Sequence, residues 1–171
     1  MANIVKIVPK TITPAVVKIA GIVGPTGPAG SVGATGPQGP ALNPTSQSFN
    51  PVWAGTGLTY TGTPATGTYI QIGKLVHFMI QVHCSTVTNF GTGTYTLTLP
   101  TAPLNDYAFR DGGLHSAGNH YALMADADES STVMNLYYTS SSGKDERMDK
   151  NSPKVLATTD YFYVSGTYLI P

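Results

Sequence analysis

Residues 74–84 read KLVHFMIQVHC, and their alternation decides the fold class. Val76, Phe78, Ile80, Val82 and Cys84 fall on one side of an extended chain; Leu75, His77, Met79, Gln81 and His83 fall on the other. Successive side chains of a strand point to opposite faces, so a period of two marks a strand with one face buried. The first set is the core face, and Cys84 on it reads as an inert core thiol. Working outward, the runs 67–72, 93–99, 120–125, 132–140 and 160–170 have the same character, rich in the Val, Thr and Tyr that strands prefer. Gly91-Thr92-Gly93, the prolines within 100–103, Asp111-Gly112-Gly113 and the serines and glycine of 140–143 supply turn signals between them. Short strands at such spacing, with no helical period, predict an all-β head over 42–171, a jelly-roll-like sandwich. That length is sufficient for a core of its own.

Upstream the period changes from two to three. Residues 21–41 read GIVGPTGPAGSVGATGPQGPA, with Gly21, Gly24, Gly27, Gly30, Gly33, Gly36 and Gly39 in register. Three polyproline-II chains wound together crowd every third residue onto the axis, where only glycine fits. A flexible linker has no reason to keep such a register. The tract therefore predicts a collagen-like triple helix, a stalk of roughly 60 Å at about 3 Å per residue, and with it a homotrimer. Pro25, Pro28, Pro37 and Pro40 all follow a glycine, and none stands in the third place that hydroxyproline takes in animal collagens. Such usage suits a cell without prolyl hydroxylase, a bacterium or its virus.

Residues 1–20, MANIVKIVPKTITPAVVKIA, are interrupted by Lys6, Lys10 and Lys18 and by Pro9 and Pro14, unlike the apolar stretch of a signal peptide. They read as two short strands around a turn, carrying Ile4, Val5, Ile7, Val8, Val16, Val17 and Ile19. Apolar strand segments at a terminus call for a partner, which predicts an anchor that adds strands to a larger assembly.

Composition narrows the classes further. There are 19 Gly and 13 Pro, and charged residues make up only 11%. Gly and Pro at that level are costly in helices, so a helical bundle is excluded. Low charge with ordinary apolar content is unlike a disordered chain. No apolar run approaches the ~18 residues of a membrane helix. All nine acids lie between Asp106 and Asp160, whereas residues 1–105 carry only Lys6, Lys10, Lys18 and Lys74, so the zero net charge hides a basic first part and an acidic second. Neither part has the clustered Lys and Arg of a nucleic-acid surface. A single Cys excludes an internal disulfide.

No catalytic arrangement stands out, and no cofactor is expected. His77 and His83 share a strand face but lie about 20 Å apart along it, too far for one metal. His115 and His120 fall in what reads as a Gly-rich loop region. Asp126, Asp128 and Glu129 have oxygens suited to Ca²⁺, yet lack the spacing of a calcium loop and read as a solvated turn. The run 144–150, KDERMDK, alternates in sign and reads as a mobile surface loop. Tyrosine is the more informative residue. In the pair Tyr137-Tyr138 alternation turns one ring outward, and Tyr161 and Tyr163 oppose Phe162 and Val164; Tyr138, Tyr161 and Tyr163 are the candidate surface-binding rings, suited to stacking on sugars or packing on protein.

The stretches YIQIGKLVH (69–77) and NFGTGTYTLTLP (89–100), with the closing SGTYLI (165–170), resemble the C-terminal domain of actinobacteriophage tail-fibre and minor tail proteins. In that family collagen-like triplets often precede such a domain, and collagen-stalked heads of other kinds are jelly-roll trimers. The resemblance covers residues 21–171 and implies a virion protein, made in the host cytoplasm, whose trimeric head attaches to a host-surface glycan or envelope component. A capsid-bound decoration fibre and a bacterial spore-surface fibre share the same architecture. Binding alone is the expected activity, with no nucleic acid and no membrane insertion.

Overall fold

The computed structural model describes Thr11, Pro14, Ala15, Gly21, residues 24–33 and residues 44–171. The anchor residues Ile4, Val5, Ile7, Val8, Val16, Val17 and Ile19, and the triplet glycines Gly36 and Gly39, lie outside the described residues. Gly21, Gly24, Gly27, Gly30 and Gly33 are exposed, with no regular secondary structure and nothing within 4 Å of where a Cβ would stand.

Residues 44–171 hold twelve strands: β1 Gln47–Phe49, β2 Trp53–Ala54, β3 Leu58–Tyr60, β4 Ala65–Ile72, β5 Leu75–His83, β6 Val87–Phe90, β7 Thr96–Thr98, β8 Tyr107–Ser116, β9 Asn119–Ala127, β10 Val133–Thr139, β11 Asp145–Arg147 and β12 Tyr161–Leu169. Among the described residues there is no α-helix, and one 3₁₀ turn follows β5 at Cys84–Thr86. The expected all-β character is what the chain shows. One antiparallel sheet runs β1-β4-β5-β12-β8-β9-β10-β7-β2, with β11 paired to β10, and β3 pairs with β6 apart from it.

The sheet is curled rather than flat. Trp53, on the β2 edge, packs its ring 5.3 Å from that of Phe162 on central β12 and 5.2 Å from Tyr95. A strand from one end of the order therefore lies over the middle, and the core fills the space between. Alternation on β5 is unbroken: Val76, Phe78, Ile80, Val82 and the following Cys84 are fully buried, as the period of two predicts. Phe162, Val164 and Tyr168 of β12 complete that layer, with Phe109 packed edge-on against Phe78 at 5.0 Å. Two hairpins close with two-residue turns. Gly73 (φ 60°) opens the one between β4 and β5, and Ala117 (φ 48°) with Gly118 (φ 81°) forms the one between β8 and β9. Positive φ at both central residues is the primed turn that matches strand twist, and alanine there is strained.

Two expectations are corrected. Asp111-Gly112-Gly113 is no turn; it lies inside β8, and the pairing with β9 shifts register between Phe109 and Gly112. Glycine serves close approach there. A Cβ on Gly112 would stand 2.9 Å from the carbonyl oxygen of Tyr163, and one on Gly113 would stand 3.0 Å from the Tyr163 ring. The bulge also brings Asp111 to the Ser165 hydroxyl, which donates to its carboxylate. Residues 144–150 are not a free loop either. Asp145–Arg147 is an edge strand on β10, and Met148 after it is fully buried, its N–H donating to the Leu136 carbonyl and its own carbonyl accepting from Tyr95. Alternating charge marks an exposed strand edge as readily as a loop.

The core makes two measurable claims. Phe162→Ala should cost about 3–5 kcal/mol in a urea titration, the range for emptying a buried aromatic site. Burial first, and then the nearby Asp160 carboxylate, push the Cys84 thiol up to about 12. The folded protein should therefore show no thiolate absorption at pH 10 and no reaction with a disulfide reagent, while the urea-unfolded chain shows both.

Candidate functional site

Strand order, rather than sequence proximity, assembles the site. On β12 the side chains of Tyr161 and Tyr163 face away from the core because Phe162 and Val164 face into it. Tyr161 pairs in register with His83 of β5 on one side and His115 of β8 on the other, and His115 pairs with His120 of β9. Four rings, His83, Tyr161, His115 and His120, thus stand in a row across four adjacent strands. At ~4.8 Å per strand the row is roughly 14 Å long.

The rings touch. His115 lies parallel to Tyr161, with centroids 4.4 Å apart and planes 10° from each other. His83 flanks the other side of Tyr161 at 5.7 Å and 26°, and His120 meets His115 edge-on at 3.9 Å. Tyr163 continues the surface at 6.0 Å from His115, its ring lying over Gly113. Beside the row is a shallow depression of about 390 Å³, with Ser116, Asn119 and Thr159 adding hydroxyl and amide groups to the rings of Tyr161, His115 and His120. The strained Ala117-Gly118 turn forms one of its walls. Ser116 is buried, and its hydroxyl accepts from the Lys154 ammonium.

The remaining sequence-predicted residues are placed elsewhere. Tyr138 is the inward member of its pair: its ring is buried, and only its hydroxyl reaches out, donating to Glu146 Oε2 at 2.8 Å. Tyr137 is the outward ring, with the Arg147 guanidinium 5.2 Å over its face. Among the described residues, no three His, Cys, Asp or Glu side chains are placed to hold a metal, so Asp126, Asp128 and Glu129 do not form one centre. Asp126 is raised above its ordinary value by burial, against the lowering effect of Arg110. The N–H of Glu129 donates to Asp106 at 2.7 Å. His77 is separate from the row and bonds through Nδ1 to the Thr167 hydroxyl at 2.9 Å.

Sequence reasoning found Tyr161 and Tyr163 but not their partners. His115 and His120 were hidden by the glycines of β8, which read as a turn. His83 shares a strand face with His77, but its ring partner Tyr161 lies on another strand far away in the sequence. The available signal was that each of these residues neighbours a core position on an alternating strand.

Chemically the row is a flat, amphipathic platform with polar groups at its margin. Such a surface stacks on the apolar face of a sugar ring while hydroxyls and amides take up its hydroxyl groups. Cross-strand aromatic pairs contribute roughly 0.2–1 kcal/mol each, so Tyr161→Ala, which loses two, should cost no more than about 2 kcal/mol. The same variant should shift the ring resonances of both His83 and His115 while leaving His77 unmoved; an unchanged His115 spectrum would contradict the stack. No family model matches this chain, and no curated protein or solved structure is similar enough to it to count as a match.

Proposed function

We propose that this chain is a homotrimeric virion fibre of the phage tail-fibre and minor-tail type, acting by adhesion. Residues 1–20 dock it to the particle, 21–41 form a collagen-like stalk, and 42–171 form a jelly-roll-like head that trimerises and meets the host surface. The observation that carries the adhesive part is the row His83–Tyr161–His115–His120 beside a depression edged by Ser116, Asn119 and Thr159. Its chemistry suits a surface glycan. The seven-triplet register of 21–41 supports three chains, and three heads on one stalk allow each site to be weak while the fibre holds firmly.

A bacterial polysaccharide array probed with the full chain tests the reading. Binding is expected, and Tyr161→Ala or His115→Ala should weaken it at least ~10-fold, the loss of about 1.4 kcal/mol per site. Undiminished binding by both variants would remove the row from the mechanism. Sedimentation should give three times the chain mass of 17.9 kDa. A chain lacking residues 1–20 should remain trimeric but fail to join the particle.

A further inference from the structure

A second surface lies on the same side of the sheet as the ring row but at its opposite end. Ile72 and Leu75 pair across the β4–β5 hairpin, and Leu75 pairs with Leu169 of β12. These three apolar side chains therefore stand side by side, 41%, 42% and 41% exposed. Met79, two positions beyond His77 on the same strand face, is 50% exposed, and with Thr66, Thr68 and Gln81 it borders a depression of about 220 Å³. Leu75 and His83 are eight residues apart on β5, roughly 26 Å, so the apolar end and the ring row do not overlap.

The face is unusual for a solvated antiparallel sheet, whose outer side is normally polar and charged. β1, β4, β5 and β12 contain no Asp, Glu, Lys or Arg at all. All nine acids lie in 106–160, on or between the other strands of the sheet. An apolar surface depleted of charge is the composition of an interface core. Identical copies meeting through the acidic part would set many like charges together; here the charges at the margin are Lys74 in the β4–β5 turn and Asp111, which is held by Ser165 opposite Met79. The chain itself supplies the occupant. Its triplet tract calls for three copies, and only residues 42–46 separate the last triplet from β1, which pairs with β4 from Gln47 opposite Tyr69, toward the Ile72 end.

We infer that the outer face of β4, β5 and β12, centred on Ile72, Leu75, Met79 and Leu169, is the surface through which three copies of the head pack. This rests on the trimeric reading above. It buries the apolar end and leaves the ring row, at the other end of the same strands, free to engage a ligand.

The test uses the full chain. The double variant Leu75→Glu/Met79→Glu introduces like charges at the interface and should raise the concentration at which the trimer dissociates by at least ~10-fold in sedimentation. Ala108→Glu, the same charge on exposed β8, should leave it unchanged. Met79→Cys in otherwise native chain is the second measurement, since buried Cys84 does not compete for reagent. The introduced thiol should be protected from a bulky maleimide in the trimer and become reactive on dissociation. A Met79→Cys trimer whose introduced thiol labels freely, or a Leu75→Glu/Met79→Glu chain that dissociates like wild type, overturns this interface alone. A wild-type monomer overturns the trimeric reading beneath it.

Discussion

The pairing of β5 with β12 is the constraint on which the rest of the head depends. Nine residues of each strand are in register, from Leu75 opposite Leu169 to His83 opposite Tyr161. That single alignment sets the inner layer of Val76, Phe78, Ile80, Val82, Phe162, Val164 and Tyr168. It sets the outer layer as well, because a slip of one residue would exchange the two faces. β4 and β8 are positioned from its two flanks, and β2 closes over it through Trp53 against Phe162. Gly166 keeps the layer thin where the Phe109 ring presses in; a Cβ there would stand 2.3 Å from that ring.

The outer layer follows from the same register and divides into two chemistries. One end gathers aliphatic side chains and a methionine; the other gathers imidazoles and phenols. Neither end needs a charged residue from these strands, and none is present.

The sequence made the core of the head legible where strands were long. In 74–84 every second side chain is buried, and 120–125, 132–140 and 160–170 each became a strand with nearly the expected bounds. The run 93–99 yielded only Thr96–Thr98, because Tyr95 turns inward to bond the Phe90 carbonyl. β1, β2, β3 and β6 are two to four residues long, too short to display a period. β8 was disguised by Gly112 and Gly113, whose role is to admit the Tyr163 backbone and ring rather than to turn the chain. The candidate site was half legible for a related reason. Alternation shows which face a residue takes, but the neighbour of β12 in space is eighty residues away in one direction and fifty in the other, and no local pattern encodes that.

The position of β12 at the centre of the sheet also bears on the order of assembly. Both of its neighbours are made long before it, so during synthesis β5 and β8 wait as unpaired edges until the segment 161–169 has emerged. Sheets closed by such distant pairings form slowly, over milliseconds to seconds, since loop entropy must be overcome before the contacts form. An exposed β5 edge with its bare apolar rows would then find either its own β12 or that of a neighbouring chain, and a strand exchanged between subunits would leave them interlocked.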